Sequence, residues 1–386
     1  MKRLVIIAAI AVFAFQATPL CAAEDDAKAR EQFDEILDAF NNRAYEMLES
    51  SIDKADLMNR VFAVRPLDDA TKQAYNASYA EISASGFHSS IHNPASDNAA
   101  ELVRFAFEDG KGLAVIRVRI PNYQYAFLAI QIRHDRRSRL KIVDWYDSRL
   151  GQSMTTTISD VLITLVPNKA STQRLLSIQD PTDLQLFQAT EILKAARDPM
   201  SPRFLEIYAD LDEGIKAHPL IAKFAMRRAA LGGNPDLFVS TLRLFVDAYS
   251  AQAEFAALTS AYYLQGQAYQ EAYQSLLQFH QFFGVKEGAV PARLSALALA
   301  TGNPEGAEKY ALEATANEPS FELGWWSLLR ARAAAMDYEG SLQPLTYLED
   351  NFDHRLDAAK LRQDRFRGFA GLVASQEFKD WRAGRN

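Results

Sequence analysis

A helix-breaking signal recurs at nearly constant spacing in the second half of the chain. The breaks lie at Pro235, Tyr269, Pro304 and Tyr338, so successive breaks are 34, 35 and 34 residues apart. A period of this length with a turn in its middle is typical of stacked helical hairpins. Each hairpin has one apolar face that only its neighbours can cover, which predicts a curved helical solenoid. Three residues after each break comes a core-type or small residue, namely Phe238, Ala272, Ala307 and Ser341.

The same pattern sets the predicted extent of the helical part. A helical-hairpin repeat array is expected over residues 182–353, followed by polar capping helices and a tail over 354–386. The five predicted hairpins cover 182–217, 218–250, 251–286, 288–318 and 319–353.

Residues 307–353 carry several positions of a known repeat pattern. Trp325 and Leu328 fit an aromatic and a leucine position, and Ala307 and Pro319 fit an alanine and a proline position, so this segment resembles a tetratricopeptide repeat. The family's frequent glycine is replaced by Met226, Ser260, Ser295 and Leu329, and its tryptophan in the earlier repeats by Ala222, Ala256 and Pro291. The resemblance implies binding of a protein or peptide and no chemistry.

The N-terminus has the composition of a secretory signal. Lys2 and Arg3 precede an apolar run from Leu4 to Phe15, and small residues up to Ala23 precede an acidic segment. We therefore expect a signal peptide over residues 1–23 and a periplasmic or secreted product. The alternative is lipoprotein anchoring at Cys21, although acylation normally requires a small residue just before the cysteine and Leu20 stands there. Cleavage after Ala23 would leave a chain without cysteine, and so without disulfides or thiolate metal ligands.

Residues 24–166 are predicted to form an α+β domain. Helical periodicity over 24–90 gives way to alternation over 101–147, which predicts four antiparallel strands with helices packed on one apolar face. In the second strand Ala114, Ile116 and Val118 share that face, and Arg117 and Arg119 lie on the other. A helix over 153–165 and a connecting segment over 167–181 lead into the array, so the chain is mostly α overall.

The element order of residues 28–150 resembles the nuclear-transport-factor-like cone, also called cystatin-like. That superfamily contains enzymes, ligand-binding modules and dimerising scaffolds, so the resemblance leaves the function open.

Charge and hydropathy argue against nucleic acid as a partner and against a membrane-spanning segment. The chain has 42 basic and 49 acidic residues, and removal of Lys2 and Arg3 makes the balance more negative still. Nucleic-acid binding needs a net basic footprint, so nucleic acid is not expected as the main partner. No apolar run after the signal approaches the length of about 20 residues that a transmembrane helix needs.

The first helix of each hairpin lines the concave face in a tetratricopeptide-like register. There the register places two cations one helical turn apart, which can bind a carboxylate, then small residues that leave room for a partner's backbone. The predicted partner-binding residues are Lys223, Arg227, Ala257, Ala261, Ala292, Ala296, Trp326 and Arg330. The alternative is a solvated basic face without a ligand.

Asp144 is the candidate for a site in the α+β domain. Strict alternation would put it on one face with Leu140, Ile142 and Tyr146. An acid among apolar residues has a raised pKa and could act as a general base or line a ligand pocket. The alternative is an acid that is paired with an arginine or that caps the turn after its strand.

Two further groups have a functional and a structural interpretation. His88 and His92 have the spacing of two metal ligands on a helix, but Gly86 and Pro94 favour a loop, so no metal is expected. The polar sheet face could bind the acidic remainder of the chain or a partner, or could be a solvated surface. It carries Arg104, Arg117, Arg119 and Arg133.

The expected function is therefore that of an exported, non-enzymatic interaction or scaffold protein that binds a protein or peptide partner through its repeats. Phosphate-binding, dinucleotide-binding, serine-hydrolase and zinc-protease motifs are absent from the sequence, and no cofactor is expected. The alternatives are a small-ligand binder or enzyme with a pocket around Asp144, and a structural homo-oligomer.

Overall fold

The computed structural model describes residues 23–64, 69, 72–73, 100–120, 124–149, 151–165, 173, 182–195, 202–231, 234–364 and 366–385. Most of the predicted signal peptide and of the connecting segment over 167–181 lies outside these residues, as do His88 and His92. None of the described helices is both long and apolar enough to cross a membrane.

Among the described residues, three helices with defined bounds precede the sheet: α1 (Ala23–Asn41), α2 (Tyr45–Ser51) and α3 (Lys54–Val64). In α1 the residues Ala29, Phe33 and Ile36 are buried at steps of four and three, so they form one apolar face. Asn41 at the end of α1 fixes the start of the sheet, because its side chain donates to the carbonyl of Ala100 at 3.1 Å and accepts from the Ala100 amide at 2.7 Å.

The sheet has five antiparallel strands in the order β1-β2-β3-β4-β5, one more than the four predicted. Asp109 and Gly110 both adopt positive φ in the first hairpin turn, as an Asp-Gly turn requires. The additional strand is short and follows Gly151, where the sheet was expected to end. The strands are β1 (Ala100–Glu108), β2 (Lys111–Ile120), β3 (Gln124–His134), β4 (Leu140–Asp147) and β5 (Gln152–Ser153), after which α4 (Met154–Leu165) begins.

One face of the sheet packs against the N-terminal helices, as predicted. Side chains from β2, β3 and β4 join those of α1 to α3 in one hydrophobic core. Five large side chains among them are at most 2% exposed, namely Phe33, Ile116, Leu128, Ile142 and Trp145. The apolar alternation of the strands thus builds the interior of the α+β unit.

The opposite face of the sheet is also buried, so the prediction of a single apolar face is wrong. Leu113 and Val115 of β2 and Phe127 of β3 pack against the helical region. The ring of Phe127 lies 6.2 Å from that of Phe279 and 5.3 Å from that of Phe283, measured between centroids. Each strand therefore contributes apolar side chains to both faces, as strands buried on two sides do.

Helices make up the described chain from residue 183 onwards. In order they are α5 (Asp183–Ala195), α6 (Pro202–Ala209), α7 (Glu213–Ala217), α8 (Pro219–Leu231), α9 (Pro235–Tyr249), α10 (Ala256–Gln265), α11 (Tyr269–Phe283), α12 (Ala289–Ala300), α13 (Pro304–Asn317), α14 (Glu322–Ala334) and α15 (Tyr338–Phe352). From α7 to α15 each helix packs on the next, and the first helices of the last two pairs, α12 and α14, also contact each other.

The four sequence breaks are four helix starts with one common turn. Helices begin at Pro235, Tyr269, Pro304 and Tyr338, as the spacing predicts. In each turn the amide just before the new helix donates to the carbonyl five residues earlier, which is the long bond of a Schellman motif. The donor–acceptor pairs are Asn234–Ala229, Ala268–Tyr263, Asn303–Ala298 and Asp337–Arg332, at 2.8 to 2.9 Å.

Three short helices follow the last pair: α16 (Ala358–Gln363), α17 (Phe369–Ala374) and α18 (Gln376–Ala383). Their buried residues Leu361, Phe369 and Phe378 join the core formed by α14 and α15. The apolar end of the helical region is thereby covered.

Candidate functional site

The predicted cation pair of the groove is only partly accessible. Lys223 of α8 is half-buried, and its ammonium is shielded from solvent and lies 5.8 Å from the ring centroid of Phe255. A buried ammonium over an aromatic ring is positioned for a cation–π contact rather than for a ligand carboxylate. Arg227 lies on the same helix, and its side chain is outside the described part of the structure.

The four predicted alanines differ in exposure. Ala257 and Ala261 of α10 are half-buried and Ala296 of α12 is exposed. Ala292 is 5% exposed, and its carbonyl accepts a bond from the Ser327 hydroxyl at 3.3 Å, so it joins α12 to α14 instead of lining open space. Of the four alanines, Ala296 is therefore the one whose side chain is exposed to solvent.

Trp326 and Arg330 contact the C-terminal segment. The guanidinium of Arg330 lies 5.7 Å from the Trp326 ring centroid and bonds the Asp364 carboxylate at 2.8 Å. The indole of Trp326 donates to Glu322, which also bonds His354 at 2.7 Å. These two residues thus hold the segment that follows α15 against α14.

The sequence prediction did not include Arg293, which lies on the open side of α12. It is the only charged residue of that helix, and the exposed residues Ala296 and Ala300 lie three and seven positions later, on the same helix face. Arg293 is half-buried, has no ion pair with any residue of the described chain, and burial lowers its pKa. A single arginine in an otherwise apolar helix was the signal that could have found it.

Asp144 is buried, and its carboxylate is bonded by neighbouring residues of the chain. A β-bulge between the pairs of Gln131 and Ile132 shifts β4, so Tyr146 turns to the helical region while Ile142 stays in the core, and the face predicted by alternation is wrong. The Asp144 carboxylate accepts bonds from the Thr155 amide at 3.1 Å, the Thr155 hydroxyl at 2.8 Å and the Trp145 amide at 2.9 Å.

These bonds place Asp144 at the start of α4, where it satisfies helix amides as a capping residue does. Burial raises the pKa of Asp144, and the hydrogen bonds from Thr155 and Trp145 oppose that rise. With its oxygens occupied by the chain itself, the carboxylate has the structural role that was the alternative to catalysis.

The four arginines of the predicted basic patch do not act together. Arg133 bonds Asp53 at 2.7 Å and Asp56 at 3.2 Å, at the start of α3. Arg104 is half-buried and Arg119 is exposed. Arg117 is only 3% exposed and lies between the sheet and the helical region. Arg117 therefore contacts acids of the same chain, which is one of the interpretations that the sequence left open for this face.

Arg117 is surrounded by carboxylates. Its two terminal nitrogens donate to the two oxygens of Glu318, each at 2.8 Å, and one of them also bonds Glu101 of β1. Glu287, just before α12, has an oxygen 3.6 Å from the guanidinium. Burial alone would lower the pKa of Arg117, but the bonds with Glu318 and Glu101 outweigh it, so the pKa rises.

Two acids of this cluster, Glu287 and Glu318, belong to loops that each join one helical pair to the next. Glu318 precedes α14 and also accepts from the Gly288 amide at 2.9 Å. Glu287 accepts from the amides of Ala289 and Val290 at the start of α12, at 2.5 and 2.7 Å. The site therefore joins β2 to two successive loops and fixes the start of α12.

Aromatic rings surround the same guanidinium. Its central carbon lies 4.6 Å from the ring centroid of Phe321 and 5.3 Å from that of Tyr125. In the preceding loop, the Tyr146 hydroxyl donates to the Glu254 carbonyl at 2.7 Å. The sheet thus contacts three successive loops of the helical region, and the Arg117 cluster is the charged centre of that contact.

A polar cleft of about 610 Å³ opens at the other side of the α+β unit. Five of its charged groups are in ion pairs, namely Glu49 with Lys54, Asp135 with Arg139, and Asp53 with Arg133 outside the cleft. It is lined by Glu46, Glu49, Ser50, Ile52, Asp53, Lys54, Asp135, Arg139 and Lys141. The mixture of paired charges selects no ligand class. No group of metal-ligating side chains occurs among the described residues.

Comparison with known proteins adds no family assignment. No protein-family model matches the chain, and no curated protein matches it either.

Proposed function

We propose that this chain is an exported, non-enzymatic scaffold protein that binds a protein or peptide partner on a tetratricopeptide-like solenoid. The repeated Schellman turn at 34- or 35-residue intervals and the packing of successive helical pairs support the repeat assignment. The signal-like N-terminus supports export.

The observation that carries the binding proposal is the open face of α12. The residues of this helix are buried except Ala296 and Ala300, which are exposed, and Arg293 and Leu299, which are half-buried. Small exposed residues let a partner's backbone approach closely, and the neighbouring guanidinium offers charge-assisted hydrogen bonds to a carbonyl or carboxylate. Half-buried Ala257 and Ala261 on α10 extend the same kind of surface.

The arrangement of the α+β unit favours a scaffold over an enzyme. Its sheet has a hydrophobic core on one face and the helical region on the other, and the Asp144 carboxylate accepts two bonds from Thr155 at the start of α4. The role of this unit in the proposal is to hold three loops of the array in a fixed arrangement.

The test is an affinity isolation of the tagged mature protein after crosslinking in its native cells, read by mass spectrometry. Ala296→Arg places a long cation on the open face of α12. Ala316→Arg is the matched control, because Ala316 is an exposed helical alanine on the second helix of the same pair.

A partner that is captured by the wild type and by Ala316→Arg but lost with Ala296→Arg would support the proposal. A partner retained by all three proteins would place the binding site elsewhere and contradict it. Capture of the chain's own second copy alone, together with a mass in solution that rises with concentration, would favour the structural homo-oligomer instead.

A further inference from the structure

The contact between the sheet and the helical region has an imbalance of charge. One guanidinium, that of Arg117, faces the three carboxylates of Glu101, Glu287 and Glu318 within 3.6 Å. If all three acids ionise, one cation faces three negative charges, of which the charge of Glu287 is shielded from water. Such an excess is costly at low dielectric, so one acid is driven to take up a proton.

The burial of the three acids identifies which one binds the proton. The side chain of Glu101 is 63% exposed and that of Glu318 is 22% exposed, whereas that of Glu287 is 1% exposed. Glu318 and Glu101 also have direct bonds from Arg117, while the oxygen of Glu287 is 3.6 Å from it, beyond hydrogen-bond distance. Two amides bond Glu287, but of the three acids it is the one that water and Arg117 stabilise least in its ionised form.

We propose that the sheet–array contact is a proton-linked latch, which is closed when Glu287 is protonated and loosens when Glu287 ionises. Opening the contact would expose Glu287 to water, which favours its charged form, whereas the amides of Ala289 and Val290 already bond it in the closed contact. The closed state therefore holds the proton, and the open state releases it. The latch needs no partner, so it does not depend on the proposed function.

The groups that face Glu287 are consistent with this direction. Arg117 of β2 attracts its negative charge, while Glu318 and Glu101 repel it. Arg119 lies further along β2 and is exposed, as is Lys286 next to Glu287, so water screens both. The hydroxyl of Tyr125 on β3 stays neutral, because burial raises its pKa.

The size of the linkage follows from the two states of Glu287. Burial raises the pKa of Glu287 to about 7 in the closed contact, from 4.5 for an ordinary glutamate, and the bonds from Val290 and Ala289 oppose that rise. A group with a raised pKa stabilises the closed state below pH 4.5 and loses that effect as pH rises through 7. Between pH 5.5 and pH 8 the closing equilibrium constant should fall roughly 10- to 100-fold.

Hydrogen exchange measured by mass spectrometry on the full mature chain tests this directly. Exchange rates at pH 5.5 and pH 8 are corrected for intrinsic chemistry and converted to protection factors for residues 284–290 and 316–321. The amides of α15 serve as internal reference, because the core of that helix does not include the sheet. Protection of the two loops should be 10- to 100-fold lower at pH 8, with α15 unchanged.

Two variants and one titration make the outcome decisive. Glu287→Gln should keep the loops equally protected at both pH values, whereas Glu305→Gln, at an exposed acid in the first turn of α13, should show the wild-type fall. Equal protection at both pH values in the wild type, or an undiminished fall in Glu287→Gln, would overturn the latch. If Glu287→Gln does not fold, carboxyl NMR of the wild type decides: a midpoint near 7 supports the proposal, and one at or below 4.5 refutes it.

Discussion

Arg117 and Glu318 form a two-pronged ion pair across 201 residues of sequence, with both N···O distances at 2.8 Å. Two parallel bonds fix the guanidinium and the carboxylate in one orientation, so the pair sets how β2 lies on the loop before α14. The flat guanidinium also lies against Phe321, which lysine could not reproduce. This pair is therefore the most specific element of the contact between the sheet and the helical region.

Arg117→Met is expected to lower the free energy of unfolding by about 3 to 5 kcal/mol, because it leaves buried carboxylates without their cation. Urea denaturation at neutral pH measures the change. Lys111→Met is the matched control, at an exposed cation that begins the same strand, and should change the free energy by less than about 0.5 kcal/mol. Equal losses in the two variants would mean that Arg117 contributes only as a strand residue.

Asp144→Asn tests the structural role of that carboxylate. The asparagine amide group would meet the Thr155 donors, so we expect a loss of about 1 to 3 kcal/mol in the free energy of unfolding. Capture of the partner should stay at the wild-type level once the variant is folded. Asp109→Asn is the control, since asparagine tolerates the positive φ of that exposed turn residue. Loss of partner capture by a folded Asp144→Asn variant would indicate that the α+β unit takes part in binding the partner.

The helix starts could be predicted because their signals are local. Asn234 and Asn303 stand just before a proline, and each caps its helix by accepting an amide three residues later. The conformation of such a turn is determined by the residues within it, so the repeat spacing can be predicted from the sequence. The capping role of Asp144 could not be predicted in the same way, because the β-bulge that turns Asp144 away from Ile142 has no sequence signature of its own.

The second buried face of the sheet did have a signal. The run from Leu113 to Ile116 and the run from Tyr125 to Ile130 contain no charged residue, and unbroken apolar runs are typical of strands covered on both sides. What the sequence could not supply was the covering element. Glu318 and Phe279 lie far along the chain from β2 and β3, and their pairing with Arg117 and Phe127 depends on how the whole helical region folds back.

The repeated turn predicts opposite effects at two equivalent positions. Gly302 and Met336 both adopt positive φ two residues before a helix start. Gly302→Ala should lower the free energy of unfolding by about 1 kcal/mol, although the space around it is open, because alanine is strained in this conformation. Met336→Gly should leave it unchanged or raise it by up to about 1 kcal/mol.

Ala335→Gly provides the control for that pair, because Ala335 has right-handed helical angles and should lose stability with glycine. Thermal and urea unfolding of the three variants give the comparison. A stabilising Ala335→Gly or a strongly destabilising Met336→Gly would contradict the common turn geometry.

Phe378→Ala tests whether the last helix stabilises the whole helical region. Phe378 of α18 is 3% exposed and packs in the core that α14 and α15 share with α16 and α17. Its truncation should lower the free energy of unfolding by about 3 to 5 kcal/mol, since it removes a buried ring and leaves a cavity. Lys379→Ala, at the exposed next residue, should change it by less than about 0.5 kcal/mol. If α18 were only an appendage, Phe378→Ala would leave the main urea transition where Lys379→Ala leaves it, and hydrogen exchange would increase in α18 alone.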